Sequence, residues 1–434
     1  MKKLFATLLC IVLLLSATSI TALAQDGKTT LLVWDTFTSD SMRNGIETIN
    51  QMFMEAHPDV TIEHLSKDLD SMAQTLKPAF MSGDAPDVIY HEMGIGEMGD
   101  YVKAGYLMNL TDAYADYGWN DTVMSVSKEV PSVGDFVYGV GHEVETMGLY
   151  YNPAILEEVG VAVPQTVEEL TAAMAKVKEA GYIPMGNTLD QYWYTNMNFV
   201  GTVLYAFMTK DEIDACMNED ASWDMPSVRL AIQTIKDWID ADYFPDHPEV
   251  NAEQQVMFAL GDSAFWVTGN WSIGQVSDVG LDDFTYGIIP FPGSETCADG
   301  GSQVNFVGSG FMVSNLSEQK ELALEYIDFC LNAPETAKVW YEVSQVIPPY
   351  TGDSGAAIND YLQTVTGYLS DPAISNVAGI NMWLGGNAFE FFSHAGQNLV
   401  LDVYDVDGFI KAADEATAAD VAAGGTKGTF KFDE

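Results

Sequence analysis

The stretch Gly261–Val276, GDSAFWVTGNWSIGQV, decides how this chain is read. Ala264, Phe265, Trp266 and Val267 form a short unbroken apolar run, the mark of a strand buried on both faces. Thr268-Gly269-Asn270 follows as a corner, and Trp271 opens a helical pattern. Open α/β sheets hold their ligands in a crevice at the carboxyl ends of strands, so Trp271 falls where such a crevice lies. An indole offers a flat apolar face and one N–H donor, which suits a ligand that is part apolar and part hydroxylated. The competing reading makes Trp271 an ordinary core aromatic, and the segment alone leaves both open.

Upstream, strand and helix patterns alternate. Thr30–Asp35 reads as a strand, and Ile46, Ile49, Met52 and Phe53 as a helix face stopped by His57-Pro58-Asp59. Val60–His64 reads as a second strand, a further helix ends near Met81-Ser82-Gly83, and Asp87–Tyr90 is a third strand. This βαβαβ order predicts an α/β protein with a parallel sheet and right-handed crossovers. Across Pro164–Gly181, Thr166 and Glu169 make a capping box, Leu170, Met174 and Val177 share one face, and Gly181 is the natural stop. Two more amphipathic helices are expected over Ser227–Ile239 and Ser317–Leu331. After Ile410 the tail becomes polar and Ala/Gly-rich, which predicts looser order.

Residues 1–24 read as a secretory signal peptide: Lys2 and Lys3, an apolar run from Leu4 to Leu15, and a small-residue site at Ala22-Leu23-Ala24 that predicts cleavage before Gln25. The expected location is therefore periplasmic or extracellular. Cys10 does not make a clear lipoprotein signal, because little apolar chain precedes it and bulky Leu9 stands before it. No later segment has the unbroken apolar length of a membrane span, so any membrane work belongs to a partner. The chain has 63 acidic and 18 basic residues, a formal net charge of -45. That repels phosphate backbones and argues against nucleic acid. The acid is spread along the sequence, as in a solvated surface. Cys216, Cys297 and Cys330 follow the leader with no metal-site or CxxC spacing, and their pairing is not readable.

In order along the chain come LLVWDTFTSD (Leu31–Asp40), FMEAHPDVTIEHL (Phe53–Leu65), MSGDAPDVIY (Met81–Tyr90), GLYYNPAILEEVGVAVPQTVEEL (Gly148–Leu170), the opening stretch, YGIIPFPG (Tyr286–Gly293) and NFVGSGFMVS (Asn305–Ser314). This series resembles the family of extracellular solute-binding proteins that includes maltose-binding protein. Each piece is weak alone; the order and spacing carry the likeness. The resemblance implies a type II periplasmic-binding-protein fold, with a ligand cleft between two lobes joined by several hinge crossings. It puts 25–143 with 311–346 in the first lobe and 147–306 with 349–434 in the second. The crossings fall near Gly141–Met147, Asn305–Phe311 and Gln345–Pro349. It further implies a carbohydrate ligand, the permease subunits of an ATP-driven (ABC) importer as partner, and a monomer without cofactor or metal.

A sugar presents C–H faces and a rim of hydroxyls, so its site needs aromatic platforms with carboxylates and amides. Trp271 matches the family's stacking tryptophan. Glu145 stands seven residues before Asn152 of the YYN motif, where maltose-binding protein has a cleft glutamate; a hinge or surface role is the rival. Thr36 and Phe37 follow the first strand, and Tyr90, His91 and Glu92 the third, both at carboxyl ends. Gln191 and Trp193 form a polar-aromatic cluster, and Trp383 before Gly385-Gly386-Asn387 is a platform or a core aromatic under a glycine turn.

A secreted glycoside-processing enzyme would need two selected carboxylates, and no motif selects a pair. TGDSGA (Thr351–Ala356) has no matching His context, and His142-Glu143 lacks the second His of a zinc protease helix. The six histidines do not cluster at metal-ligand spacing. A binding module that presents ligand to a membrane sensor stays open beside import.

Overall fold

The computed structural model describes residues 27–189, 193–217, 221–250, 254–280 and 284–423. The expected signal peptide and Gln191 lie outside these residues.

The chain opens with strands β1 (Thr29–Asp35), β2 (Val60–Ser66) and β3 (Val88–Glu92). As the alternation predicts, β1 pairs in parallel with both β2 and β3. The helix Asp40–Ala56 between the first two strands is capped by Ser39 and buries Ile46, Ile49 and Phe53, the i, i+3, i+7 set of one face. The helix Leu69–Ser82 is capped by Asp68, whose carboxylate accepts from Ser71 N at 2.7 Å, and ends at Gly83 with φ 86°.

A small hairpin, β4 (Ser132–Val133) with β5 (Phe136–Val137), precedes β6 (Val140–Gly141). The chain then leaves the first sheet. The second sheet contains β7 (Glu145–Tyr151), β8 (Ile183–Met185), β9 (Ser263–Gly269), β10 (Gly287–Ile289), β11 (Gln303–Phe306) and β13 (Asn376–Val377), while β12 (Ser309–Val313) returns to the first. Strand order is β2-β1-β3-β12-β6 in one sheet and β13-β11-β7-β9-β8 in the other, with β10 on β7.

Neither sheet is wholly parallel, which extends the expectation from the early alternation. The crossings explain it. β6 leaves the first sheet and β12 enters it, so the two run antiparallel side by side; β7 and β11 do the same in the second sheet. Strand β9 pairs antiparallel to β7 and parallel to β8, and all seven of its residues are buried, as its apolar run requires.

Each sheet carries its own core. Leu31, Val33, Ile46, Phe53, Val88 and Phe311 pack in the first lobe. Leu149, Leu170, Met174, Val177, Ile232 and Val267 pack in the second. Thr166 caps the helix Val167–Ala180 by accepting from Glu169 N at 3.1 Å, and Glu169 accepts in return from Gln165 N at 2.8 Å, one residue earlier than the simplest box.

The tail corrects its expectation. Val406–Ala422 is a helix that buries Phe409, Ile410 and Ala413, because its alanines favour helix and its apolar stripe finds a partner. Its Asp420 accepts from Asn387 N and Ala388 N, capping the helix Gly386–Ser393. Cys216, Cys297 and Cys330 are buried. No helix among the described residues is long and apolar enough to cross a membrane.

Candidate functional site

Among the described residues three segments connect the sheets, and the first is hydrogen-bonded to each of the other two. His142 N donates to Ser309 O at 3.0 Å, and Val144 N donates to Ile347 O at 2.9 Å. Beside them lies a cavity of about 690 Å³ walled by both lobes. Its first wall is the loop after β1, including Thr36 and Phe37, with Tyr90 and Glu92 from β3. Glu143, Glu145 and Ser309 come from the crossings; Trp271, Gln275 and Asn381 come from the second lobe. A depression of about 540 Å³ under Lys178, Tyr182 and Leu260 lies elsewhere, on the second lobe alone.

The corner after β9 delivers Trp271. A Cβ on Gly269 would lie 1.9 Å from the Trp271 ring, so only glycine lets the indole fold back over the strand end. Fully buried Asn270 fixes the turn. Its Oδ1 accepts from Thr146 N at 2.7 Å, and its Nδ2 donates to Val144 O at 3.0 Å and to Glu143 Oε1 at 3.2 Å. Trp271 therefore packs partly on the second lobe's core and turns its remainder to the cavity.

Alternation along β3 sorts three of the expected residues. Tyr90 and Glu92 face the cavity; His91, between them, points to the opposite face and pairs with Glu97 at 3.3 Å. His91 is thus corrected out of the cleft. Phe37 is 2% exposed and packs on Tyr90 with centroids 4.2 Å apart, so it reaches the cavity as a floor residue. Trp383 is also corrected out. It is buried, stacks on Trp223 at 6.0 Å, and donates from Nε1 to the Tyr205 hydroxyl at 3.0 Å. The turn Ile380–Met382 presents Asn381 to the cavity instead. Trp193 opens the helix Trp193–Phe207, and Asn198 of that helix lines the cavity; the Trp193 side chain lies outside the described part.

Sequence reasoning missed Glu143, Ser309, Asn381 and Asp278. For Glu143 the signal was present: two residues from Glu145 in extended chain, it shares that residue's side. Ser309 joins two carboxylates, donating from N to Glu145 Oε1 at 3.3 Å and from Oγ to Glu92 Oε1 at 2.6 Å. Burial, reinforced by the charge of Glu92, pushes the Glu143 carboxyl up to about 8. Burial and the same crowding raise Glu145 well above the carboxylate range, and burial raises Glu92. Burial holds His142 down to about 3, so it is a neutral ring against the Tyr90 hydroxyl, 3.2 Å away.

Asp278 reaches between the lobes. Its Oδ2 accepts from Ser41 N at 3.0 Å and Ser41 Oγ at 2.9 Å, at the N-terminus of the helix Asp40–Ala56. Helix N-termini favour negative charge, which makes this a well-placed interlobe contact.

Two sheets linked by bundled crossings, with a polar-aromatic cavity at the joint, define a two-lobed binding protein. The family model described as "Bacterial extracellular solute-binding protein" matches residues 48–359, and the chain belongs to that family. Among its relatives is the maltodextrin-binding protein MdxE of Bacillus subtilis (strain 168), 24% identical over 92% of this chain and 94% of that protein. The maltotriose-binding protein of Pyrococcus abyssi (strain GE5 / Orsay) is 24% identical over 81% of this chain and 70% of its own length. A solved chitin oligosaccharide binding protein superposes with a TM-score of 0.80 over 92% of this chain and all of its own, at 17% identity. That likeness speaks for the fold.

Proposed function

We propose that this protein captures a carbohydrate between its lobes outside the cytoplasm and delivers it to the integral-membrane permease subunits of an ABC importer. The observation that carries the reading is Trp271, half-buried on one wall of an interlobe cavity that Glu92, Glu143 and Glu145 also line. The indole supplies a stacking face for a sugar ring, and the carboxyls and amides accept from or donate to its hydroxyls. The sugar relatives and the family support the same reading.

In this reading 25–143 with 311–346 is one lobe, 147–306 with 349–434 is the other, and the leader 1–24 is removed. The protein acts as a monomer, binds its ligand with Thr36, Phe37, Tyr90, Glu92, Glu145 and Trp271, and leaves it chemically unchanged. A thermal-shift screen over a carbohydrate panel tests it, since a tight ligand raises the melting temperature by mass action. The expected result is a saturable shift with at least one sugar, and recovery of that sugar intact after incubation. A panel without any shift, or a hydrolysed product, overturns it.

A further inference from the structure

Resting on the carbohydrate reading, we infer that the cleft selects a positively charged sugar, an amino sugar whose ammonium group sits among Glu92, Glu143 and Glu145. The cavity is lined by six carboxylates, Asp40, Asp68, Glu92, Glu143, Glu145 and Asp278, and among the described residues by no lysine, arginine or histidine. The nearby cations are turned elsewhere. Arg43 does not line the cavity but sits at its rim, where it pairs with Asp40 at 3.6 Å and donates to Thr38 O; Lys67 stands over the Trp34 ring, and His91 pairs with Glu97 of the next helix on the other face of β3. His142 is neutral.

The donors that do reach the three glutamates are neutral ones, Ser309 and Asn270. Glu143 and Glu145 are 4% and 6% exposed, so their charges find little water. A second acceptor waits at the same cavity. Asn381 is 2% exposed, and its Oδ1 is buried with no hydrogen-bond partner. An ammonium group brings three donors and the missing charge together. A sugar acid or sugar phosphate would meet six carboxylates. The wall's one strong positive feature, the N-terminus of the helix Asp40–Ala56, is already met by Asp278. While the cleft is empty, burial and mutual repulsion raise these carboxyls above the ordinary carboxylate range; a bound cation favours their ionised form and drives protons off.

The experiment is calorimetric titration of the full mature chain with matched sets that differ in one substituent. Glucosamine, glucose and N-acetylglucosamine form one set, the galactose counterparts a second, and the β-1,4-linked glucosamine, glucose and N-acetylglucosamine disaccharides a third. The expected result is at least one amine that binds about tenfold or more tighter than its hydroxyl and N-acetyl twins. Repeating the titration in buffers of different ionisation enthalpy should show protons released on amine binding. In Glu92→Gln the amine should lose most of its advantage, with a melting temperature confirming the variant is folded. If a hydroxyl or N-acetyl sugar binds as well as its amine twin, the charge inference is overturned while carbohydrate capture stands. If no member of any set binds, this inference is overturned, and carbohydrate capture is decided by the wider thermal-shift panel.

Discussion

At the scale of single residues, Trp271 and Glu143 bear the most weight. Removing the indole removes the cavity's aromatic platform but leaves β9 intact, because Asn270 and not Trp271 holds the corner. Trp271→Ala should weaken binding of the cognate sugar about tenfold or more in titration calorimetry. Unchanged affinity would remove Trp271 from the binding account. Glu143 offers a pH test. Its carboxyl keeps its proton up to about 8 in the folded chain, against an ordinary value of 4.5 for the unfolded one. Between those values the folded state binds more protons, so this group's contribution to stability is full at low pH and fades as pH rises. Thermal melts of the ligand-free protein from pH 5 to 8 should therefore show a smaller fall in Glu143→Gln, whose amide oxygen can still accept from Asn270. An identical pH profile in the variant would refute the shift. The site was half legible in the sequence. Trp271, Tyr90 and Glu92 were readable because strand ends in α/β folds fix where side chains converge, and Glu145 through the resemblance to maltose-binding protein. His91 was not separable from its neighbours without knowing the phase of β3, and Trp383 not without knowing that Trp223 and Tyr205 would cover it.

At the scale of elements, the local rules that the sequence states openly are the ones the structure obeys. The caps at Ser39 and Thr166, the stop at Gly181 and the buried run of β9 all follow from residues within a few positions of one another. What escaped was non-local. The antiparallel neighbours at the crossings depend on partners more than 150 residues apart, such as Glu145 and Phe306, and the tail helix depends on a groove that composition does not reveal. The β9 corner shows how an element is held by one side chain. Asn270→Ala would leave Thr146 N and Val144 O buried without their present partners, a cost of about 3 kcal/mol at roughly 1–3 kcal/mol per orphaned group. Chemical denaturation should show that loss with an unchanged m-value. A loss well under 1 kcal/mol would mean that other groups or water take over both bonds.

At the scale of the whole molecule, charge and hinge meet. A net charge of -45 on 434 residues repels itself, and surface ion pairs such as Lys210 with Asp214 engage only a small part of the acid. Salt up to about 0.5 M should raise the melting temperature by screening that repulsion. Within this self-repelling frame the lobes are joined by three crossings, the first bonded to each of the other two, and the Ser41–Asp278 contact spans the lobes beside the cavity. Short crossings of this kind absorb the backbone rotation of a closing hinge, while the packed cores on either side move as bodies. The ligand shifts that equilibrium only through contacts made to both lobes at once, which the walls of the cavity provide. Saturating ligand should therefore reduce the radius of gyration in small-angle scattering, and Asp278→Ala should leave the free protein more open than the parent while the liganded form still compacts. If free and bound profiles superpose for both proteins, ligand capture does not proceed by closure about these crossings.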